Sequence, residues 1–324
     1  MTKAIRIHET GGPEVLRWEE ADPGPPAPGW VRVRHTAVGV NYIDTYHRSG
    51  LYPVALPSGI GLEAAGVVEA LGDGVTRWKP GDRVAYGTGP LGAYAEASNV
   101  PAERVVAIPG GVSDEQAAAL MLKGLTAWYL LRRTYRVREG ETILFHAAAG
   151  GVGLLACQWA KHLGATVIGT VGSEAKAAIA RDHGCDHVID YSREDFARRV
   201  REITGGKGVP VVYDGVGKAT FDGSLDSLAP LGMMVSFGNA SGPPPPLDLL
   251  RLSLGGSLFV TRPTLMHYTA DPNELAEGAA EMFELVAAEA VRVEIHQRYP
   301  LAEAEAAHRD LEGRRTTGAT VLLP

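Results

Sequence analysis

Residues 143–153 read Ile143-Leu144-Phe145-His146-Ala147-Ala148-Ala149-Gly150-Gly151-Val152-Gly153, and the apolar run Leu154–Leu163 follows. Three bulky apolar residues suit a buried strand, the small residues after them a tight turn, and the longer run a buried helix. Glycines at the start of such a helix let backbone N–H groups approach a pyrophosphate, and the helix N-terminus adds partial positive charge. The string approximates the dinucleotide fingerprint, with Ala148 where the first glycine usually stands. A Gly-rich string alone is weak evidence against a plain turn; the strand before it and the helix after it favour the nucleotide.

Outward from this loop, strand-like and helical runs alternate. Ile143–Phe145, Val167–Thr170, His187–Ile189, Val211–Tyr213, Met233–Phe237 and Leu258–Thr261 read as strands. Such alternation builds a parallel sheet with right-handed crossovers, and six strands allow the order 3-2-1-4-5-6, with ligand at the carboxyl ends of the strands. Cofactor choice is read at the end of the second strand. An NAD-selective site carries an acidic residue about 20 positions beyond the loop. Here the strand ends Thr170-Val171-Gly172-Ser173, with Lys176 one helical turn later. A hydroxyl and an ammonium in place of a carboxylate suit a 2′-phosphate and favour NADPH. The bland alternative makes Ser173 a helix N-cap and Lys176 a solvated lysine.

Before the loop the pattern differs. Lys3–Ile7, Trp30–Val38, Ala65–Ala70, Arg83–Ala85 and Ala93–Ala97 are short β-rich runs between Gly and Pro turns such as Asp73-Gly74 and Lys79-Pro80-Gly81-Asp82, which predicts a small irregular β-barrel. Ser113 with Gln116 forms a candidate capping box, and an apolar stripe runs from there to Leu131. After the sixth strand the reading is a helix at Asn273–Ala288, a strand at Val291–Gln297, a helix at Ala302–Leu311 and a last strand. We assign this tail to the barrel. The expected fold is thus α/β: a Rossmann doubly wound parallel sheet over residues 125–264 and a β-rich domain built from residues 1–124 and 265–324. Pro243–Pro246 reads as a stiff loop.

Composition narrows the function. With 324 residues, 45% hydrophobic and 21% charged, the chain suits two globular domains. A formal net charge of −7 with no long basic run argues against nucleic acid or an anionic membrane as partner. Met1–His8 lacks a signal-like apolar stretch, and nothing approaches the roughly 20 apolar residues that span a bilayer, so a cytoplasmic location is expected. Cys157 and Cys185 are the only cysteines; both sit in apolar or helical patterns, which fits core thiols in a reducing compartment.

Asn41-Tyr42-Ile43-Asp44-Thr45-Tyr46, Lys123-Gly124-Leu125-Thr126, Ala147–Gly153, Tyr213-Asp214-Gly215-Val216-Gly217 and Val260-Thr261-Arg262-Pro263 follow one another along nearly the whole chain. Together they resemble the NADPH:quinone oxidoreductases, the zeta-crystallin-like branch of the medium-chain dehydrogenase/reductase superfamily. The resemblance implies a GroES-like catalytic domain, a Rossmann domain, a cleft between them and a homodimer. Related zinc alcohol dehydrogenases place a Cys, the His of a Gly-His-Glu string and a second Cys on the catalytic metal. The matching positions here are Asn41, Leu62 of Gly61-Leu62-Glu63, and Lys123. None is an ordinary zinc ligand, and two cysteines cannot build a four-Cys structural lobe, so no metal is expected.

Without a metal to polarise a carbonyl, the acceptor should need little help. A quinone meets that condition because aromatisation drives its reduction, leaving the enzyme mainly to position donor and acceptor. The expected catalytic set is Asn41 and Tyr46, orienting the quinone oxygen beside the nicotinamide, and Lys123, lending positive potential as the hydroquinone anion develops. The expected cofactor contacts are Asn41, Tyr46, Thr126, Tyr129, Gly150, Gly151, Val152, Gly172, Ser173, Lys176, Tyr191, Phe237, Gly238, Phe259, Val260 and Arg314. Quieter readings stand beside several: Tyr129 as a helix-face aromatic, Tyr191 as a strand-end aromatic, Arg314 as a surface charge, and the residues ending strands five and six as sheet core. His47 and His146 are left out of the catalytic set because lone histidines more often serve packing. Reduction of enones or enoyl substrates by NADPH on the same scaffold remains the enzymatic alternative, and NADPH binding or RNA binding without catalysis the alternative of another class. Leu258–Val260, as an edge strand, is the expected dimer contact.

Overall fold

In the computed structural model, which describes residues 2–324, the β-rich runs become β1 (Lys3–Ile7), β2 (Arg17–Glu20), β3 (Trp30–Val40), β4 (Ser58–Gly59), β5 (Ala64–Leu71), β6 (Arg83–Tyr86), β7 (Ala97–Pro101) and β8 (Val106–Ala107). Val31 and Val33 of β3 alternate inward and are fully buried, the period-two signature of a strand with one face on a core. That core gathers Ile5, Ile7, Val68, Val84, Tyr86 and Tyr94 around them. The strand expected at Ala93–Ala97 begins only at Ala97. The N–H groups of Ala93 and Tyr94 are taken by the carbonyls of Gly61 and Ile60, and Gly92 adopts φ +127, so the segment makes only an isolated antiparallel bridge, Ala95 to Ala4, before β7 begins.

Two helices position residues of interest. The first, α1 (Tyr42–Ser49), was not expected from the sequence; it starts where β3 ends, with Asn41 as N-cap and Gly50 at φ +81 closing it. The second, α2 (Asp114–Tyr129), opens on the capping box: Ser113 N–H donates to Gln116 Oε1 at 3.0 Å and Gln116 N–H to Ser113 Oγ at 3.1 Å.

From Thr142 the chain alternates β9 (Thr142–Phe145), α3 (Gly151–His162), β10 (Thr166–Val171), α4 (Glu174–Asp182), β11 (His187–Asp190), α5 (Phe196–Ile203), β12 (Val209–Asp214), α6 (Phe221–Asp226), β13 (Leu228–Ser236), α7 (Leu249–Leu254), β14 (Phe259–Thr261) and α8 (Leu265–Tyr268). The sheet order is β11-β10-β9-β12-β13-β14 and every pairing is parallel, which is the 3-2-1-4-5-6 order of the dinucleotide fold. Leu144, Ile168, Val212 and Met234 bury one face of it.

The tail forms α9 (Pro272–Ala287), β15 (Ile295–Pro300), α10 (Ala304–Glu312) and β16 (Ala319–Leu323). Strand β16 pairs antiparallel with β3, Val321 opposite Gly39, and β15 lies parallel outside it. Two units result: one takes in the chain up to Leu125, Thr269–Ala288 and Val293–Pro324, the other Thr126–Tyr268 and Glu289–Arg292. Residues 265–268 therefore go with the Rossmann sheet rather than with the tail, because the Tyr268 ring stacks on Tyr129 at 4.6 Å and its hydroxyl accepts from Thr134. Arg292 stays with the same unit through Gln158, whose Oε1 accepts its N–H at 2.9 Å, and this delays the strand expected at Val291 until Ile295.

Gly153 fixes the close approach of α3 to the loop before it. A Cβ there would stand 2.3 Å from the Ala147 carbonyl oxygen and 2.8 Å from the Ala148 backbone. Replacing Gly153→Ala should therefore destabilise the fold by about 1–3 kcal/mol, the range of an overpacked site, with an unchanged urea m-value; an unshifted midpoint would show that the loop gives way freely.

Candidate active site

The loop after β9 is held from both sides. His146 N–H donates to the Tyr213 carbonyl on β12 and Ala148 N–H to the Thr170 carbonyl on β10, each at 3.0 Å, while Ala147 sits at φ +54. Below it, His146 is wholly interior. Asp214 Oδ2 accepts from Ser224 Oγ, which leaves Ser224 Oγ to accept from His146 Nε2 at 3.0 Å, and His146 Nδ1 then accepts from Thr170 Oγ1 at 2.8 Å. Burial pulls its pKa down, with Asp214 opposing. Hydrogen-bonded at both ring nitrogens, this imidazole supports the loop.

Gly150 caps α3 with no side-chain hydrogen bond, so the first-turn N–H groups around Gly151 and Val152 receive no side-chain cap. Uncapped amides on a positive helix end, beside Gly153, whose Cβ position is filled by the Ala147 carbonyl, make a cradle that fits a pyrophosphate. Ser173 is the N-cap of α4, accepting from Lys176 N–H at 3.4 Å. Gly172 lies against Tyr191, whose hydroxyl would be 2.9 Å from a Cβ. Asp190, opposite Val171 across the strand pair, turns its Oδ1 to Ser192. Phe237 and Gly238 follow β13; the Phe237 ring is 5.8 Å from Phe145, and a Cβ on Gly238 would meet the Gly215 carbonyl at 2.4 Å. The loop, Gly172, Ser173, Tyr191, Phe237 and Gly238 thus share the carboxyl ends of the strands of one sheet. Thr126 and Tyr129 are buried at the end of α2. Phe259 and Val260 lie within the edge strand, with Phe259 54% exposed. Arg314, at φ +58, belongs to the other unit, near the Tyr42 hydroxyl.

In that other unit Asn41 and Lys123 converge on a residue that sequence reasoning passed over. Asn41 Nδ2 donates to Glu63 Oε2 at 2.6 Å and Lys123 Nζ to the same oxygen at 3.1 Å. Tyr46 lies one turn into α1 with its ring edge-on to Tyr52 at 5.2 Å. Asp44, at the third position of α1, accepts from Asn41 N–H at 2.8 Å and from the Tyr94 hydroxyl at 3.0 Å through Oδ2. Tyr94 in turn contacts His308 Nε2 at 3.0 Å, and His308 Nδ1 contacts Arg48 Nη1 at 3.2 Å. Arginine only donates, so His308 Nδ1 accepts and Nε2–H donates to Tyr94. Burial and Arg48 hold this histidine at a pKa of about 3. Arg48 is closed off by Glu312 at 2.7 Å. The quoted strings Asn41–Tyr46 and Gly61-Leu62-Glu63 contain Asp44 and Glu63, but nothing local marks either as interior.

The donor set at Asn41, Leu62 and Lys123 does not suit a metal: an ammonium and an amide NH₂ both point hydrogens at Glu63, and Leu62 offers no lone pair. Among the described residues no three His, Cys, Asp or Glu side chains are grouped as a metal site requires.

Comparison with known proteins adds the following. The family model described as alcohol dehydrogenase GroES-like domain matches residues 27–110, and that described as zinc-binding dehydrogenase matches residues 151–283. A quinone oxidoreductase of Pseudomonas aeruginosa is 59% identical over 325 residues, 100% of each chain. The crystal structure of Escherichia coli quinone oxidoreductase complexed with NADPH has a TM-score of 0.98 and 51% identity, again over 100% of each chain. A 2-haloacrylate reductase of a Burkholderia species is 49% identical, covering 100% of this chain and 99% of that protein.

Asp44 is fully buried, its Oδ1 has no hydrogen-bond partner, and desolvation pushes its pKa up to about 7 against the Asn41, Tyr94 and Lys123 interactions that lower it. A carboxyl that binds its proton more tightly when folded contributes stability that is full below about pH 4 and lost as pH rises through about 7. Asp44→Asn should therefore gain stability relative to the parent between those limits in urea titrations; a pH-independent difference would contradict the assignment.

Proposed function

This chain belongs to the quinone oxidoreductases of the medium-chain dehydrogenase/reductase superfamily, and from that premise we propose that it transfers reducing equivalents from NADPH to a quinone with no metal ion. The observation that carries the reading is the Gly150–Gly153 cradle suited to pyrophosphate; in the other unit, the Asn41–Lys123 set is one that no zinc ion fits.

Bound NADPH supplies the hydride. Around it, the α3 amides at Gly150, Gly151 and Val152 hold the pyrophosphate, and Ser173 with Lys176 meets the 2′-phosphate beyond Gly172. Tyr191 lies on the adenine side, with Phe237, Gly238, Phe259 and Val260 toward the nicotinamide, and Thr126, Tyr129 and Arg314 complete the contacts. Asn41 and Tyr46 orient the quinone oxygen, and the Lys123 ammonium stabilises charge as that oxygen becomes anionic. Electrostatic stabilisation of this kind is modest in demand because the acceptor is already electrophilic. The cytoplasm suits the two buried free thiols, Cys157 and Cys185; no described helix is long and apolar enough to cross a membrane.

Initial rates of NADPH and NADH oxidation with ortho- and para-quinones, simple enones and a chelator test the assignment. Expected are fast quinone turnover with NADPH, little with NADH and no chelator effect. Turnover of enones without quinones would move the protein to the reading that its 2-haloacrylate reductase relative favours. Within the site, Asn41→Ala and Tyr46→Phe should each lower kcat by about tenfold or more; full turnover in both removes them from the mechanism.

We further assign a homodimer to the edge of the Rossmann sheet. Strand β14 has β13 on one side only, and Leu231, Leu249, Leu250, Leu254 and Phe259 expose large apolar side chains around it. An apolar patch beside an open strand edge suits pairing with a second copy. Sedimentation should give a dimer that Leu254→Lys, at a position 80% exposed, converts to monomer; a monomeric parent defeats the proposal.

A further inference from the structure

We propose that Glu63 is the positioning residue of the acceptor end, setting the side chains of Asn41 and Lys123 that face the quinone; the inference rests on the roles given to those two above. Glu63 has no exposed surface. Its Oε2 accepts from Asn41 Nδ2 at 2.6 Å and from Lys123 Nζ at 3.1 Å, and its Oε1 accepts from Leu122 N–H at 2.6 Å. The surroundings are shaped to admit the carboxylate: a Cβ on Gly39 would lie 2.2 Å from Oε2, and Gly39 N–H donates to the Glu63 carbonyl at 3.1 Å.

Each bond has a consequence for the acceptor. An amide side chain presents a donor on one side and an acceptor on the other, and the two are easily exchanged by rotation. A carboxylate accepts only, so Nδ2 must face Glu63 with one hydrogen, the amide orientation of Asn41 is set, and its second Nδ2 hydrogen is the one able to donate to a quinone oxygen. Lys123 is 5% exposed, and an ammonium so buried requires a compensating charge. Asp44 is the other carboxylate acting on Lys123, but the direct ion pair of Nζ is with Glu63 Oε2, at 3.1 Å. Through Leu122, the residue before Lys123 on α2, Oε1 fixes where the lysine emerges over Oε2. Glu63 touches neither reactant in this scheme; it acts through the other two side chains.

A mutant cycle separates this role from a structural one. In the parent, Glu63→Gln should lower kcat by about tenfold while the KM for NADPH stays within about twofold, since the cofactor contacts of the cradle are untouched. In an Asn41→Ala/Lys123→Met background the same substitution should change kcat by less than about twofold, because residues acting as one unit are not additive. An equal loss in both backgrounds overturns the proposal, as does full kcat in Glu63→Gln. A background variant with parental turnover sinks the roles of Asn41 and Lys123 themselves, and Glu63 with them, so the two failures are told apart. Should Glu63→Gln not fold, Glu63→Asp keeps the charge and withdraws the oxygens: kcat should again fall with KM for NADPH spared, and undiminished kcat overturns the inference.

Discussion

Both units depend on backbone approaches that a single added carbon would block. At Gly153 the missing Cβ leaves room for the Ala147 carbonyl, and at Gly39 for the Ala118 carbonyl and the Glu63 carboxylate, each at 2.2–2.3 Å from where the carbon would stand. The first contact lets α3 begin directly above the loop, so its amides face outward at the carboxyl ends of the strands. The second lets a carboxylate be enclosed among β3, α1 and α2, where it gathers an amide and an ammonium. Steric permission at two glycines thus precedes the electrostatics of both functional clusters.

Enclosed polar groups then constrain one another. Because Arg48 can only donate, the proton positions on His308 and Tyr94 follow in order, and the chain ends on Asp44 Oδ2, while the other oxygen of that carboxyl, Oδ1, is buried with no partner. His146 is ordered the same way from Asp214 through Ser224. Such networks restrict the rotamers of α1 and of the cofactor loop more firmly than apolar packing would, since each unmade bond leaves a buried polar atom unsatisfied. Their cost is visible in Asp44, whose ionisation burial opposes.

Local pattern carried much of the architecture. The six strands were legible from β-branched runs between turns, and the Ser113–Gln116 box from its spacing, because these signals act within a few residues. Helix α1 was not, since its cap is Asn41 with Asp44 instead of the Ser/Thr and Glu/Gln of the usual box, and its residues Tyr42-Ile43-Asp44-Thr45-Tyr46 are poor helix formers. The strand placed at Ala93–Ala97 failed for another reason: Gly61 and Ile60, distant in sequence, claim those amides. The same holds at 265–268, which stacking on Tyr129 assigns to the Rossmann unit.

By itself, then, the sequence determined the fold class, the six strands of the parallel sheet, the glycine-rich loop and the absence of zinc-ligating residue types at positions 41, 62 and 123, because each is a property of residue type at short spacing; it allowed the strand order that the structure shows. Tertiary structure alone decided that Asn41 and Lys123 share one oxygen of Glu63, that His146 is enclosed and bonded at both ring nitrogens, and that burial pushes the Asp44 pKa up to about 7. Those outcomes depend on desolvation and on partners 22 to 78 residues away along the chain, and neither burial nor a long-range hydrogen bond leaves a local mark in the sequence.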